Sequence, residues 1–449
     1  MHVSVVNEPG TDHIPSSRHA NTGAREPGVF FRTTGKEVED LLYPLTPREF
    51  VDRYWTREPL YIAGSPTKFA ELFSLPEFHS AAKRAGVLHV EFKDRQRLRK
   101  PDPEDIDVYL QRGATVCLTD IGHTSERLQA LVDAVKGQLN FSGLLDIRAY
   151  LSSDGCGYGT HADARVATTL QISGKKRWRF SRQAAVEFPL HSIVPTADGY
   201  RQYRDGPSRH WEQFQQPDEA SFLEVVLEPG DLLCLPAGVW HAAQAIGHSL
   251  AINMAFNCVS FDSFVMSALR QKLISLPEWR APIPLVPGGP ANGAVPDEVA
   301  SFFSARLGEL KTYIEALAAK GPELAHAWRE GVCSRSRMAA EVALAVPTDS
   351  KPIGRGDRFI RSPFTSFGWS LDEALQPALA VYEGTRNRSI TLLPQAQSFM
   401  RKLMTVQVFQ AEECLCWTED GSRYDWPAVE AILRTLLEGG ILQRDSQPI

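Results

Sequence analysis

Long apolar runs are missing from this chain of 449 residues. Nothing approaches the roughly 20 consecutive apolar residues of a membrane-spanning helix, and the N-terminus has neither the charged nor the apolar segment of a secretory signal. A protein without membrane contact, in the cytoplasm, is therefore expected. Positive charge is also scarce: Lys plus Arg total 48 against 54 for Asp plus Glu, a formal net charge of -6. No basic field exists to attract nucleic acid, so direct nucleic-acid binding is not expected. The seven cysteines are an odd number, and most lie in apolar runs where a reduced thiol behaves as a small hydrophobe. Cys414 and Cys416 are closely spaced, but no second pair completes a metal site.

What is present is ordinary globular material, 43% hydrophobic and 23% charged, long enough for several domains at about 150 residues each. Residues 1–36 are rich in Gly, Pro, Ser, Thr, His and Asn and read as a mobile tail. Thr46, Pro47 and Glu49 spell a capped helix start running to about Trp55. Strands and helices alternate from about Leu60 to Ile147 and read as scaffold. From Asp146 to Asn257 short β-rich runs broken by Gly and Pro predict an all-β core, with strands at 146–152, 168–172, 177–181, 222–226, 232–235 and 249–255. Beyond it, Asp262 is expected to cap a helix over 263–274. Prolines at 277, 282, 284, 287, 290 and 296 then predict a linker without regular structure. Residues 297–317 and 322–345 read as helices for packing or self-association. Helices around a short β-ribbon after 362, including an amphipathic helix over 425–438 capped by Asp425, predict a winged-helix-like unit.

The chemistry concentrates in two places. His161-Ala162-Asp163 sets an imidazole and a carboxylate two residues apart, on one face of a strand. Downstream, Pro229-Gly230-Asp231 leads through Leu235-Pro236-Ala237-Gly238 to His241, which the tight turn aims back toward the sheet. Two His and one carboxylate with open positions is the facial arrangement of non-haem Fe(II) oxygenases. His191, His210 and His248 are rival third ligands, His248 the strongest of them.

A second clue is Leu170-Gln171-Ile172-Ser173-Gly174-Lys175-Lys176-Arg177-Trp178-Arg179-Phe180. Unbroken alternation sets Leu170, Ile172, Lys176, Trp178 and Phe180 on one face. A lysine in that apolar set asks for a buried carboxylate or phosphate; a bulge at Gly174 would instead flip the register and leave Lys176 solvated. An iron site beside a buried cation is what 2-oxoglutarate requires, its distal carboxylate needing a charged partner. Tyr150 can donate to the same carboxylate or serve as a core aromatic. Asn253, in an apolar run, needs a partner that either the pocket or the backbone can supply.

These segments resemble the JmjC-type cupin 2-oxoglutarate oxygenases, and in particular the ribosomal oxygenase group that hydroxylates arginyl or histidyl side chains. The entry from Pro44 to Trp55 and Pro59-Leu60-Tyr61-Ile62 is similar as well. The resemblance implies a mixed α and β protein: a catalytic domain over 37–258 with a double-stranded β-helix core and flanking helices, a helical dimerisation region over 259–361, and a winged-helix-like domain over 362–449. It implies Fe(II) on His161, Asp163 and His241, 2-oxoglutarate held by Lys176 with Tyr150 nearby, O₂ as co-substrate, and a homodimer acting on a protein or peptide; Asn253 joins the co-substrate side on the separate ground of its buried amide. The implied reaction is side-chain hydroxylation, with demethylation adjacent to it. A cupin isomerase or hydrolase and an inactive binding module are the other readings. The chain departs from the group at Ala162, Ala164 and Arg165; Arg165 can repel a basic peptide, receive an acidic one or sit at the surface.

Overall fold

The computed structural model describes residues 36–445 except 204–210, 288–294, most of 321–350, 362–365, 372–376, 384–385, 392–395, 404, 407 and 419–420. The expected tail up to Gly35, His210 and most of the helix expected over 322–345 lie outside the described residues.

The N-terminal layer comprises α1 (Glu37–Leu42), α2 (Pro47–Glu49), α3 (Leu75–Ala82), α4 (Ile106–Gln111) and α5 (Glu126–Leu139). The capping box forms as the sequence predicts: Glu49 N donates to Thr46 Oγ1, and Glu49 accepts from the Thr46 amide at 2.8 Å. The helix then continues as one π-helical stretch over Phe50–Tyr54.

Among the described residues, an 11-stranded sheet holds β1 (Leu60–Ile62), β2 (Val87–Phe92), β3 (Ala114–Thr119), β4 (Leu144–Ser152), β5 (Gly157–Ala162), β6 (Val166–Ala184), β7 (Ser192–Thr196), β8 (Gly199–Tyr203), β9 (Leu223–Leu227), β10 (Leu232–Leu235) and β11 (Val239–Asn257). Its main path runs β1-β10-β6-β11-β4-β3-β2, with β5 on β11 and β9 on β6. β6 and β11 are 19 residues each and pair antiparallel along most of their length. Each absorbs segments that the sequence reads as separate, and His241 lies within β11 rather than ahead of it.

Alternation along β4 decides what faces the barrel. Leu145, Ile147, Ala149 and Leu151 enter the core that also holds Leu41, Phe78 and Leu128 of the helical layer. Asp146, Arg148 and Tyr150 take the opposite face. On β6 the expected single apolar face is broken. Leu170 and Ile172 join the core under the helices, whereas Trp178 and Phe180 join a second cluster with Val225, Leu227, Leu233, Leu235 and Val239. The β6–β11 pairing slips around Leu250, and Gly174 there has φ +66°. A one-residue slip exchanges the faces of everything beyond it. Gln171, placed on the solvent side by unbroken alternation, is instead fully buried, and its amide donates to Ser249 Oγ at 2.9 Å.

After the barrel come α6 (Phe261–Ile274), α7 (Pro277–Arg280) and α8 (Asp297–Lys320). Ser260, not Asp262, is the capping residue of α6. The short α7 corrects the expectation of an irregular linker: Pro277 stands in its first turn, where a missing amide costs nothing. The C-terminal region contains β12 (Arg358–Arg361), a meander of β13 (Ser366–Leu371), β14 (Pro377–Glu383) and β15 (Arg386–Thr391), then α9 (Ala396–Leu403), β16 (Val408–Gln410), α10 (Trp426–Glu438) and β17 (Leu442–Arg444). β12 pairs with β16 and β17 around a core that includes Phe359, Phe399, Phe409, Val429 and Leu433. Asp425 caps α10 as expected, accepting from the Ala428 amide at 2.8 Å.

Candidate metal centre

β5 and β11 lie side by side with His161 directly opposite His241. This register puts two imidazoles on one inner face, their centroids 4.2 Å apart, and the strand end delivers Asp163 beside them. Ligand atoms of His161, Asp163 and His241 all lie within 4.8 Å of one another, a group that can hold a metal ion. His191 and His248 do not belong to this group, nor do Cys414 and Cys416.

Each imidazole is oriented by its own strand. Nδ1 of His161 sits 2.7 Å from the Gly159 carbonyl, and Nδ1 of His241 sits 2.9 Å from that of Val239. A carbonyl can only accept, so both Nδ1 atoms carry the proton and both Nε2 lone pairs are left for a metal. Burial, and then the charge of His161, lower the pKa of His241 to about 4, so its ring is neutral at physiological pH. Burial alone would raise Asp163, but His161, Arg165, His241 and Arg148 outweigh it and hold the carboxyl at about 2. The carboxylate is ionised and ready to ligate.

The Pro236-Ala237-Gly238 turn ties the two motifs together, since the Gly238 amide donates to the Asp163 carbonyl at 2.8 Å. Gly238 has φ +81°, and a Cβ there would collide with the Val186 carbonyl oxygen. Gly238→Ala should cost on the order of 1–3 kcal/mol of stability and loosen metal binding, which thermal melts with and without added metal will show.

Lys176 lies on β6 beyond the bulge and is 2% exposed. Its Nζ has Ser152 Oγ at 3.3 Å and stands 5.4 Å from the Tyr150 ring centroid. It makes no ion pair among the described residues, and burial lowers its pKa to about 8. Lys175, by contrast, pairs with Glu228 at 2.7 Å near the surface. The buried cation is thus Lys176, set against the hydroxyls of Ser152 and Thr115. Trp178 stacks on His241 at 5.9 Å, and its buried Nε1 has no partner among the described residues. Tyr150 packs edge-on to Tyr158, which in turn lies near His161. The Asn253 amide donates to Thr169 Oγ1 at 3.0 Å, so its partner is a neighbouring strand's hydroxyl.

Sequence reasoning missed Arg148, Ser152 and Thr115, all on β3 and β4. The signal was present in β4, where Asp146, Arg148 and Tyr150 alternate with Leu145, Ile147, Ala149 and Leu151.

Residues 127–264, which include the two imidazoles and the carboxylate, match the family model described as the JmjC domain. The proteins to which the chain is similar include ribosomal oxygenases. The chain is 27% identical over 271 residues to ribosomal oxygenase 1 of Gallus gallus, covering 55% of this chain but 41% of that protein. It is 24% identical over 259 residues to the uncharacterised protein YxbC of Bacillus subtilis, covering 54% of this chain and 77% of that one. Among solved structures, YcfD, a ribosomal oxygenase from Escherichia coli, in complex with cobalt and 2-oxoglutarate, aligns with a TM-score of 0.56 at 18% identity, over 90% of this chain and 99% of that one. No helix among the described residues is long and apolar enough to cross a membrane.

Proposed function

We propose that this chain is an Fe(II)- and 2-oxoglutarate-dependent oxygenase that hydroxylates a side chain in a protein or peptide. The carrying observation is the pairing of a metal-ready triad with Lys176, a buried cation without a carboxylate partner among the described residues. Such a cation is costly unless an anion meets it, and a keto acid that chelates the metal through one end brings a carboxylate at the other. The cobalt and 2-oxoglutarate bound by the Escherichia coli relative support the same reading.

In this reading His161, Asp163 and His241 hold the metal, Lys176 grips the distal carboxylate, and Tyr150 and Asn253 line the co-substrate side. Bound iron supplies the redox chemistry of the overall reaction, in which 2-oxoglutarate, O₂ and a C–H group give succinate, CO₂ and an alcohol. The protein fixes the neutral imidazole tautomers, keeps water from the pocket floor through Trp178 and Phe180, and supplies the positive charge. The apolar side chains that α6 and α8 expose, Phe261, Met266, Leu307 and Ile314, support self-association as a homodimer. A cytoplasmic protein acting on a ribosomal protein or a precursor peptide completes the proposal.

Anaerobic addition of Fe(II) and then 2-oxoglutarate should produce the visible charge-transfer band of a chelated keto acid, and His161→Ala should abolish it. A folded, iron-loaded protein without that band would overturn the reading.

A further inference from the structure

A run of cations lies along β5, the strand that carries His161. Lys93, Arg95, Arg97, Arg99 and Lys100 occupy five of the eight positions from 93 to 100, against the single carboxylate of Asp94. All five are exposed. Arg112 adds a sixth cation, its guanidinium 4.6 Å from the Phe92 ring centroid. Of the six, Arg97 alone has an ion pair among the described residues, its Nε 2.6 Å from Glu91 Oε2 while the side chain stays 66% exposed. Elsewhere Lys83, Arg127, Lys175, Arg177 and Arg179 each meet a glutamate. In a chain with more acidic than basic residues, the 93–100 loop is thus a local field of one sign.

The loop has a set shape and a set place. The Phe92 amide donates to the Gln96 carbonyl at 2.9 Å, the Arg95 amide to the Phe92 carbonyl at 2.8 Å, and the Leu98 amide to the Val90 carbonyl at 3.1 Å. Arg95 takes φ +67°, a left-handed conformation unfavourable for a residue with a Cβ. Its guanidinium lies against Gly159 of β5, where a Cβ would stand 2.2 Å from Nη2. Lys93 lies beside Gly155 in the same way, its Nζ 2.9 Å from where a Cβ would stand. Gly159 is two residues ahead of His161, and its carbonyl accepts from His161 Nδ1 at 2.7 Å. The charged loop therefore touches the residue that orients one metal ligand, about 7 Å along the strand from that ligand.

We infer that this loop is the docking surface for an acidic segment of the polypeptide substrate, its Asp and Glu side chains lying on Lys93, Arg95, Arg99 and Lys100 while a residue a few positions away reaches the metal. The inference rests on the oxygenase reading above and adds the substrate class. An extended peptide advances about 3.3 Å per residue, so carboxylates about three to six positions from the modified residue meet the loop. Guanidinium groups suit them through paired hydrogen bonds. Asp102, Glu104, Asp105 and Asp107, exposed just after the loop, bound the field on one side. A nucleic-acid backbone needs a longer basic surface, and the half-buried Phe92 ring lies under Arg112 rather than open to a stacking base. A short acidic peptide fits the field that remains.

The test uses the full chain loaded with Mn(II). Binding of 2-oxoglutarate is measured first, and its absence overturns the oxygenase reading and the substrate assignment with it. With 2-oxoglutarate bound, fluorescently labelled peptide pools are titrated, each a random core followed by a run of Asp and Glu, of Asn and Gln, or of Lys and Arg; single-stranded RNA of random sequence is the fourth probe. The acidic pool should bind about tenfold more tightly than the neutral pool at about 0.05 M salt, and within about twofold of it at about 1 M, where exposed charges are screened. A variant carrying Lys93→Gln, Arg95→Gln, Arg99→Gln and Lys100→Gln should bind the acidic and neutral pools alike. Equal binding of all pools by the wild type, tightest binding of the basic pool or of RNA, or an acidic preference that survives in the fourfold variant overturns the docking assignment while leaving the co-substrate site standing.

Discussion

Replacing Lys176 with Met should make the protein more stable and less able to bind 2-oxoglutarate. The ordinary lysine pKa of 10.5 falls to about 8 on folding because burial disfavours the charge. Below about pH 8 the folded protein holds a charge that the unfolded chain would keep hydrated, so the cost is fully present at neutral pH. It shrinks as pH rises from 8 toward 10.5, where the unfolded chain also releases its proton. The shift corresponds to about 3 kcal/mol. Lys176→Met should therefore melt later than the wild type at pH 7 without 2-oxoglutarate, and the gap should close by about pH 10. Its affinity for 2-oxoglutarate should fall by about a hundredfold or more, since a dianion would enter an uncharged pocket. The wild type should show the matching pH dependence, with steady affinity below about pH 8 and weakening toward tenfold per unit above it. Calorimetric titrations at about pH 7 and about pH 9 check this; equal affinity in both proteins would remove Lys176 from the site.

The second large effect concerns the metal. His241→Ala leaves two ligands, and Fe(II) or Mn(II) affinity should drop by at least about a hundredfold, beyond what loss of a supporting hydrogen bond does. Turnover should disappear with it. Because the Nε2 atoms face the metal position rather than each other's donors, the metal-free variant should melt within roughly 1 kcal/mol of the metal-free wild type. The difference appears on loading: at a hundredfold excess over Kd the wild type gains about 2.7 kcal/mol, and the variant gains at most about 0.4 kcal/mol at the same metal concentration. A variant that keeps the full metal-induced rise in Tm would show that His241 is not a ligand.

The residues legible in the sequence are those whose placement is local. His161 and Asp163 share a strand end, and the Gly238 turn that aims His241 is written in consecutive residues. The helix caps at Thr46 and Asp425 were legible for the same reason. Lys176 was half legible. Alternation grouped it correctly with Trp178 and Phe180, but wrongly with Leu170 and Ile172, because the slip at Leu250 depends on how β11 pairs. Arg148, Ser152 and Thr115 come to the site only through the pairing of β3 with β4 and of β4 with the distant β11, and a single sequence does not display that pairing.

The bulge in β6 has a consequence for charge. Gln171 points inward, and uninterrupted alternation from it would turn Lys175, Arg177 and Arg179 into the barrel. Three cations would then crowd one pocket while Trp178 and Phe180 faced solvent. The slip reverses this, leaving those three to pair at the surface with Glu228, Glu224 and Glu219. A strand that is cationic at four positions of five from Lys175 to Arg179 thereby admits a single positive charge, enough to match one carboxylate. Chain geometry at a single glycine acts here as a charge selector, and shortening that segment by one residue would change what the pocket can bind before any pocket residue is altered.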